Sequence, residues 1–223
     1  MRILYLLLVL VVIGSGCEKY NLKQPAYLSF NWRFHSTTSS QGQVTITKGY
    51  FYSNESMVYG VRKKGDPVQI KQSAPTQKVQ FSTENKLGIT FDIPMGDYTE
   101  FGMKAGIDNT HNPCLRLEGF IYKGEEQVPL IIEWKNLDEL NFKVQNAFSL
   151  EKKKDYKVYI GFDVAKLFST VSSTLLEHPP ISNENGVSTV IIRDPNGNPN
   201  AQGAQIFNKI TEQMPNALIL KIE

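Results

Sequence analysis

Apolar and polar residues alternate along most of the chain, which is the pattern of half-buried β-strands. In the segment YLSFNWRF, Leu28, Phe30, Trp32 and Phe34 fall on one face and the intervening residues on the other. Similar segments recur at the intervals of an all-β domain: QVTITKGYFY, VQFS, LGITFDI, LRLEGFIYKG, VPLIIEW, LNFKVQ, YKVYIGF, STVIIR and ALILKI. Many short strands of this kind predict a sandwich or a barrel. We therefore expect residues 27–223 to form a single, mostly β domain.

Turn-forming residues separate these segments. Proline, glycine and charged residues cluster at Lys64–Pro67, Pro94–Asp97 and Lys123–Glu126, as is typical of tight connections between strands. The lysine-rich segment Glu151–Asp155 is flanked by acids, and a solvated turn between strands explains it.

Two segments have the 3.6-residue periodicity of amphipathic helices instead. Asp163 is a suitable N-cap for VAKLFSTV. The apolar residues that recur there at helical spacing are Val164, Leu167, Phe168 and Val171. Asn200 is a suitable N-cap for AQGAQIFNKITEQM, and we expect Pro215 to end that helix. The apolar face of this second helix consists of Ile206, Phe207, Ile210 and Met214.

Two further predictions concern the C-terminal part of the chain. The segment Ser172–Val187 is rich in Ser, Asn and Pro and is predicted to be a long loop. The last segment, Ala217–Ile222, is so apolar that we expect it to be paired inside the sheet.

The N-terminus has the features of an export signal. Ile3–Ile13 is an uninterrupted apolar run of eleven residues, whereas a bilayer of about 30 Å needs roughly 20. A retained membrane helix is therefore disfavoured, and the small residues 14–16 complete a signal peptide over residues 1–16. Cys17 follows directly. It is either the lipid-attachment residue of the mature chain or a free thiol after an ordinary signal peptide.

The segment Ile13–Cys17 resembles the lipobox of bacterial lipoproteins, although Gly14 stands where that motif prefers leucine. The resemblance implies lipid attachment at Cys17, a polar tether over residues 17–26 and a location in the bacterial cell envelope. An outer-membrane lipoprotein is expected, with the membrane leaflet left open.

The segment DIPMGDYTEFGMKAGID resembles the strand-turn-strand units of β-sandwich lipoproteins in Bacteroidetes, through Pro94, Gly96 and Tyr98. We expect the proline and glycine to make the reversal, and the tyrosine to fold back with its hydroxyl near the backbone. The resemblance implies an antiparallel β-sandwich of the prealbumin or fimbrillin type with one or two short helices, one of them near the C-terminus.

Charge and cysteine content exclude some classes. The formal net charge is only +2, with basic and acidic residues interspersed, so a nucleic-acid partner is not indicated. Two cysteines cannot form a disulfide framework, so the core must hold the fold. Cys114 lies beside an apolar strand pattern and is expected to be a small buried residue.

No motif for catalysis or cofactor binding is present. None of the histidines, His35, His111 and His178, lies in a recognisable nucleophile context, and the Gly-x-Ser-x-Gly, Walker and dinucleotide motifs are absent. Two partial metal patterns occur, Asp108 with His111, and a calcium-like run. The run consists of Asp194, Asn196, Asn198 and Asn200. It lacks the glycine and the closing glutamate of a calcium loop, so no metal and no cofactor are expected.

The sequence therefore favours a non-catalytic binding or structural role, with a protein or a glycan as ligand. Aromatic residues that could line a sugar site are Tyr50, Tyr52, Tyr59 and Trp134; Trp32 is expected in the core instead. The alternative is a metal-binding or enzymatic envelope factor whose residues form no recognisable motif.

Overall fold

The computed structural model describes residues 25–82, 86–144, 146–195 and 201–223. Strands make up 60% of these described residues and the three helices among them are short, which confirms the mostly β class and the helix near the C-terminus. The strands, β1 to β13, are Pro25–Trp32, Val44–Arg62, Val68–Ser82, Lys86–Pro94, Gly96–Ile107, Leu115–Lys123, Glu126–Trp134, Glu139–Lys143, Phe148–Leu150, Asp155–Phe162, Ile181–Glu184, Val187–Arg193 and Leu218–Ile222. The helices, α1 to α3, are Val164–Leu167, Ser173–Glu177 and Gln202–Ala217.

The long strand β2 is the centre of one continuous sheet that curls into a half-barrel. One edge of β2 pairs with β3; the other pairs with β6 along its first half and with β5 along its second half. From β6 the sheet continues through β7 and β12 to β11. From β5 it continues through β8, β13, β10 and β1 to β4. The two halves of β2 thus have different neighbouring strands on this edge.

The expected antiparallel arrangement holds for most of the described strand pairs but not for all of them. Three pairs are parallel, namely β1 with β10, β7 with β12 and β8 with β13. Parallel neighbours need long crossover connections rather than hairpins, and these three pairs join strands that are far apart in the chain. Alternation of apolar residues reports which face of a strand is buried but carries no information on strand direction.

The apolar face predicted for β1 is confirmed. Leu28, Phe30, Trp32 and Phe34 are all at most 6% exposed. The Trp32 ring lies edge-to-face against Phe51 of β2, with ring centroids 5.1 Å apart, and against a phenylalanine of β8 at 5.6 Å. The curl of the sheet therefore folds β1 over β2 and places the aromatic core between them.

The turn that was predicted around Pro94 is also confirmed. Gly96 has a φ of 139°, a conformation that favours glycine, and β5 begins there. Tyr98 is fully buried, and its hydroxyl donates a hydrogen bond to the carbonyl of Pro94. The tyrosine thus ties the start of β5 to the end of β4. Burial raises the pKa of Tyr98 to about 12.

The helices agree with the sequence in part. The carboxylate of Asp163 accepts a hydrogen bond from the backbone of Lys166, so the predicted N-cap is confirmed, although α1 is only four residues long. Asn200, the predicted cap of α3, lies outside the described residues. The prediction that Pro215 ends α3 is wrong, because the helix continues to Ala217. Pro215 is exposed and its neighbour Met214 is buried, so packing of the last turn outweighs one missing hydrogen bond.

The predicted long loop Ser172–Val187 is wrong as well. The Ser172 hydroxyl caps α2 by accepting from the backbone of Leu175. Farther on, β11 and β12 form a hairpin through Asn185-Gly186, both with positive φ. Asn-Gly is a strong signal for a two-residue hairpin turn. The polar residues around it nevertheless favoured the prediction of a loop.

The two ends of the described chain lie in the sheet. β13 pairs with β10 and with β8, which confirms that the C-terminal strand is internal. At the other end, Pro25 and Ala26 pair with β4, so β1 begins two residues before the predicted domain boundary. Within the described ranges, no helix is long and apolar enough to cross a membrane. The predicted signal peptide and Cys17 lie outside those ranges.

Candidate functional site

The first half of β2 presents two tyrosines on the outer surface of the sheet. Because side chains alternate along a strand, Gly49 and Phe51 point into the core, whereas Tyr50 and Tyr52 point outward and are half-buried. A β-carbon at Gly49 would lie 2.6 Å from the Phe81 ring, so the core packs directly against the backbone behind the tyrosines. The tyrosines therefore stand on a rigid support.

Three further side chains surround these rings. The Lys78 ammonium lies 3.8 Å from the centre of the Tyr50 ring. The His111 ring stacks on Tyr52 with centroids 3.9 Å apart and planes at 13°, and the two tyrosines meet edge-to-face at 5.7 Å. On the opposite side, Arg116 is the cross-strand partner of Tyr50. We refer to Tyr50, Tyr52, Lys78, His111 and Arg116 as the aromatic face.

Carboxylates border the aromatic face on the side of β6 and β7. The Arg116 guanidinium donates to Glu118 at 2.8 Å and to Glu133 at 3.0 Å. Lys48 also contacts Glu118, at 2.9 Å. Burial raises the pKa of Tyr50 above its usual value, which already keeps a phenol neutral near pH 7. The surface combines neutral phenols with fixed charges of both signs.

Asp108 organises the loop that carries His111. Its carboxylate accepts hydrogen bonds from the hydroxyl of Thr76 and from the hydroxyl and backbone of Thr110, and its own backbone donates to the carbonyl of Tyr52. The hydrogen bonds that the carboxylate accepts, that from Thr76 first, lower the pKa of Asp108 to about 2. The loop is thereby attached to β2 and β3 at the edge of the aromatic face.

The two sequence-derived metal patterns have different outcomes. The structure brings Asp108 and His111 together, with the His111 Nδ1 atom 3.7 Å from the carboxylate, but both carboxylate oxygens already accept protein hydrogen bonds. Asp194 follows β12, while Asn196 and Asn198 lie outside the described residues. Among the residues that the structure describes, no group of three or more His, Cys, Asp or Glu could hold a metal ion.

The remaining aromatic candidates do not join the aromatic face. Tyr59 lies on the second half of β2, where its hydroxyl donates to Asn141 at 2.8 Å. Trp134 is buried, and its indole nitrogen donates to Thr211 of α3 at 3.0 Å. Trp134 therefore attaches the helix to the sheet and is no part of an exposed site.

Sequence reasoning did not single out Lys78, Arg116 or the stacking position of His111. Lys78 stands opposite Tyr52 on β3, and Arg116 stands opposite Tyr50 on β6. These neighbours follow from strand register, which the sequence alone does not specify. The available signal was the pair of tyrosines two positions apart on a strand.

A cleft of about 1230 Å³ opens at the far end of β2. Its lining consists of Arg62, Lys64, Gly65, Met95, Gly96, Asp97, Ser149, Leu150, Glu151 and Lys152. The Ser149 hydroxyl donates to the Asp97 carboxylate. These lining residues include neither histidine nor cysteine, so they hold no nucleophile with a histidine base.

Two other candidates have structural roles. Cys114 is fully buried, as predicted, and its thiol donates to the carbonyl of Trp134. His35 is largely buried, and its Nε2 atom lies 3.2 Å from the carbonyl of Ile219. Since a carbonyl only accepts, Nε2 carries the proton. Burial, with the nearby charges of Lys221 and Arg33, lowers the pKa of His35 to about 4.

Comparison with known proteins gives no match to a protein family, to a curated protein or to a solved structure.

Proposed function

We propose that this protein is a lipid-anchored, non-catalytic binding protein of the bacterial cell envelope, and that its aromatic face binds a partner protein. The observation that carries this proposal is the arrangement of Tyr50 and Tyr52 between Lys78 and Arg116 on a rigid, outward-facing strand. Tyrosine and arginine are enriched at the centres of protein interfaces and among the residues that dominate binding energy.

A protein is favoured over a glycan because the tyrosine rings are partly covered. A sugar stacks on an open ring face, but Lys78 lies over one face of Tyr50 and His111 covers one face of Tyr52. The adjoining carboxylates of Glu118 and Glu133 add charges that a protein surface of mixed charge can complement.

The lipid anchor at Cys17 is the second part of the proposal. It is supported by the order of apolar run, small residues and cysteine in the sequence, and by the start of the sheet at Pro25, eight residues later. One acyl chain gives only marginal membrane attachment, whereas two hold stably. The mass of the mature N-terminal peptide from native membranes tests the anchor. A peptide that starts at an unmodified Cys17 would contradict it.

We also propose that the curled sheet is a variant of the β-sandwich found in the Bacteroidetes lipoproteins that the sequence resembles. The packing of Trp32 in β1 against Phe51 in β2 supports this, since inner faces of two sheet regions meet there. The alternative is an enzymatic or metal-binding factor, and its metal-binding form finds no group of three or more His, Cys, Asp or Glu among the described residues to support it.

Affinity purification tests the binding function. The full chain is expressed in its own envelope and purified in mild detergent, and co-purifying proteins are quantified by mass spectrometry. We expect a protein that is enriched with the wild type and lost with a Tyr50→Ser/Tyr52→Ser variant. The matched control is Tyr27→Ser, which removes an exposed tyrosine of β1. Equal recovery of all partners with both variants would contradict a role for the aromatic face.

A further inference from the structure

Three loops and the start of β1 meet at the end of the sheet where β2 ends, near Arg62. The loops are those between β2 and β3, between β4 and β5, and between β9 and β10. The backbone of Lys63 donates to the carbonyl of Asp97 at 2.8 Å, and the backbone of Lys153 donates to the carbonyl of Pro25 at 2.9 Å. Arg62 reaches the carbonyl of Met95 in the middle loop. These contacts gather four chain segments into one surface.

This surface is rich in exposed lysine. It carries two basic runs, Arg62–Lys64 and Lys152–Lys154, in which all five lysines are exposed. We call it the basic end. The acidic side chains beside these runs are Asp66, Asp97, Glu151 and Asp155. Glu151 pairs with Lys154, and Asp97 accepts from a serine hydroxyl, which leaves Lys63, Lys64, Lys152 and Lys153 without a described acidic partner.

The proposed membrane anchor would leave the domain at this same end. β1 begins at Pro25, which pairs with Pro94 and accepts from the backbone of Lys153. Cys17 precedes Pro25 by only eight residues. Even a fully extended chain of this length spans no more than about 30 Å. A lipid at Cys17 therefore holds the basic end close to the bilayer surface.

We infer that the basic end faces the membrane and binds anionic lipid headgroups, so that the domain stands on the bilayer in one orientation. This inference rests on the proposed anchor at Cys17. Lysines near an anionic surface strengthen membrane attachment, and the attraction falls off within about 10 Å at moderate salt. The tether is short enough to let these lysines come within that distance of the headgroups, and the attraction would then keep them there.

The orientation has a consequence for the aromatic face. Tyr50 and Arg62 lie on the same strand, twelve residues apart, which corresponds to up to about 40 Å at roughly 3.3 Å per residue. With Arg62 at the membrane, Tyr50 would lie away from the lipid, where a partner protein can reach it.

Amine footprinting of the membrane-tethered full chain tests this orientation. The chain is coupled through Cys17 to a maleimide lipid, which is selective because Cys114 is fully buried. Vesicles of phosphatidylcholine with phosphatidylglycerol are compared with vesicles of phosphatidylcholine alone. Lysines are acetylated briefly, and the labelling of each lysine is measured by mass spectrometry. Lys71 on β3 and Lys123, which lies near the opposite end of β2, are the controls.

We expect Lys63, Lys64, Lys152 and Lys153 to be labelled several-fold more slowly on the anionic vesicles, with the difference abolished by high salt and the control lysines unchanged. Equal labelling on both kinds of vesicle, or slower labelling of Lys123 instead, would overturn the orientation. The coupling does not depend on native acylation. A negative footprint therefore refutes the orientation alone, whereas an unmodified Cys17 in native membranes refutes the anchor alone.

Discussion

The His111 ring lies flat on the Tyr52 ring, with centroids 3.9 Å apart and planes inclined by 13°. This contact joins the loop between β5 and β6 to the outer surface of β2. It also fixes one ring of the aromatic face in place before any partner arrives. A side chain that is already ordered loses less entropy on binding, so this arrangement favours affinity.

Replacement of His111 tests the stacking. We expect His111→Ala to lower the free energy of unfolding by about 0.5–1 kcal/mol, the usual contribution of an aromatic pair at a partly exposed site. His111→Phe retains a stacked ring and should stay close to the wild type. Urea unfolding measures both variants. If His111→Phe were as unstable as His111→Ala, the contribution would come from the histidine nitrogens and not from stacking.

The hydrogen bond between Tyr98 and Pro94 gives a second prediction. Tyr98→Phe keeps the buried ring but leaves the Pro94 carbonyl without this donor. We expect a loss of about 1 kcal/mol in unfolding free energy. Tyr122→Phe is the control, since its hydroxyl contacts only an exposed glutamine among the described residues. Equal stability of Tyr98→Phe and the wild type would show that the hydrogen bond contributes nothing to the turn.

Trp32 gives the largest predicted effect on stability. The residue is 4% exposed and packs between two phenylalanine rings. Trp32→Ala should lower the free energy of unfolding by about 3–5 kcal/mol, because it leaves a large cavity between β1 and β2. Tyr27→Ala, at an exposed position of the same strand, should cost less than about 1 kcal/mol. Similar losses for the two variants would contradict the packing of β1 over β2.

The stability of the fold should depend on pH through His35. Its pKa is lowered from 6.5 to about 4 in the folded chain. Between these values the unfolded chain binds a proton that the folded chain does not, so stability falls as the pH falls from 6.5 to 4. Urea midpoints across this range should fall less steeply for His35→Gln than for the wild type. His178→Gln, at an exposed histidine, is the control. Parallel pH profiles for the wild type and His35→Gln would contradict this.

The sequence predicted the parts of the fold that depend on local pattern. Alternation identified the buried face of β1, and the Pro94–Tyr98 turn followed from the conformational preferences of proline and glycine. Strand direction was not predictable, since a parallel pair such as β1 with β10 depends on crossovers of more than a hundred residues. The hairpin at Asn185-Gly186 was missed because its first strand, Ile181–Glu184, is short and largely polar.

The candidate site was predictable to a smaller extent. Tyr50 and Tyr52 stood out as aromatic residues on one strand. Tyr59 shares that strand but lies elsewhere, because its half of β2 pairs with β5 and the half with Tyr50 pairs with β6. The contributions of Lys78 and Arg116 depend on cross-strand register. Tertiary pairing, and not local pattern, therefore decides which of the aromatic residues form the aromatic face.

Site-specific photo-crosslinking in the intact envelope tests the central claim most directly. A photoreactive phenylalanine analogue replaces Tyr50 in one variant of the full chain and Tyr27 in another, and adducts are identified by mass spectrometry after irradiation. The account predicts a discrete adduct with one partner protein from position 50 and none of that protein from position 27. It also predicts loss of the adduct when Lys78→Glu and Arg116→Ala are added. No protein adduct at position 50, the same adducts from both positions, or an adduct with glycan alone would contradict it.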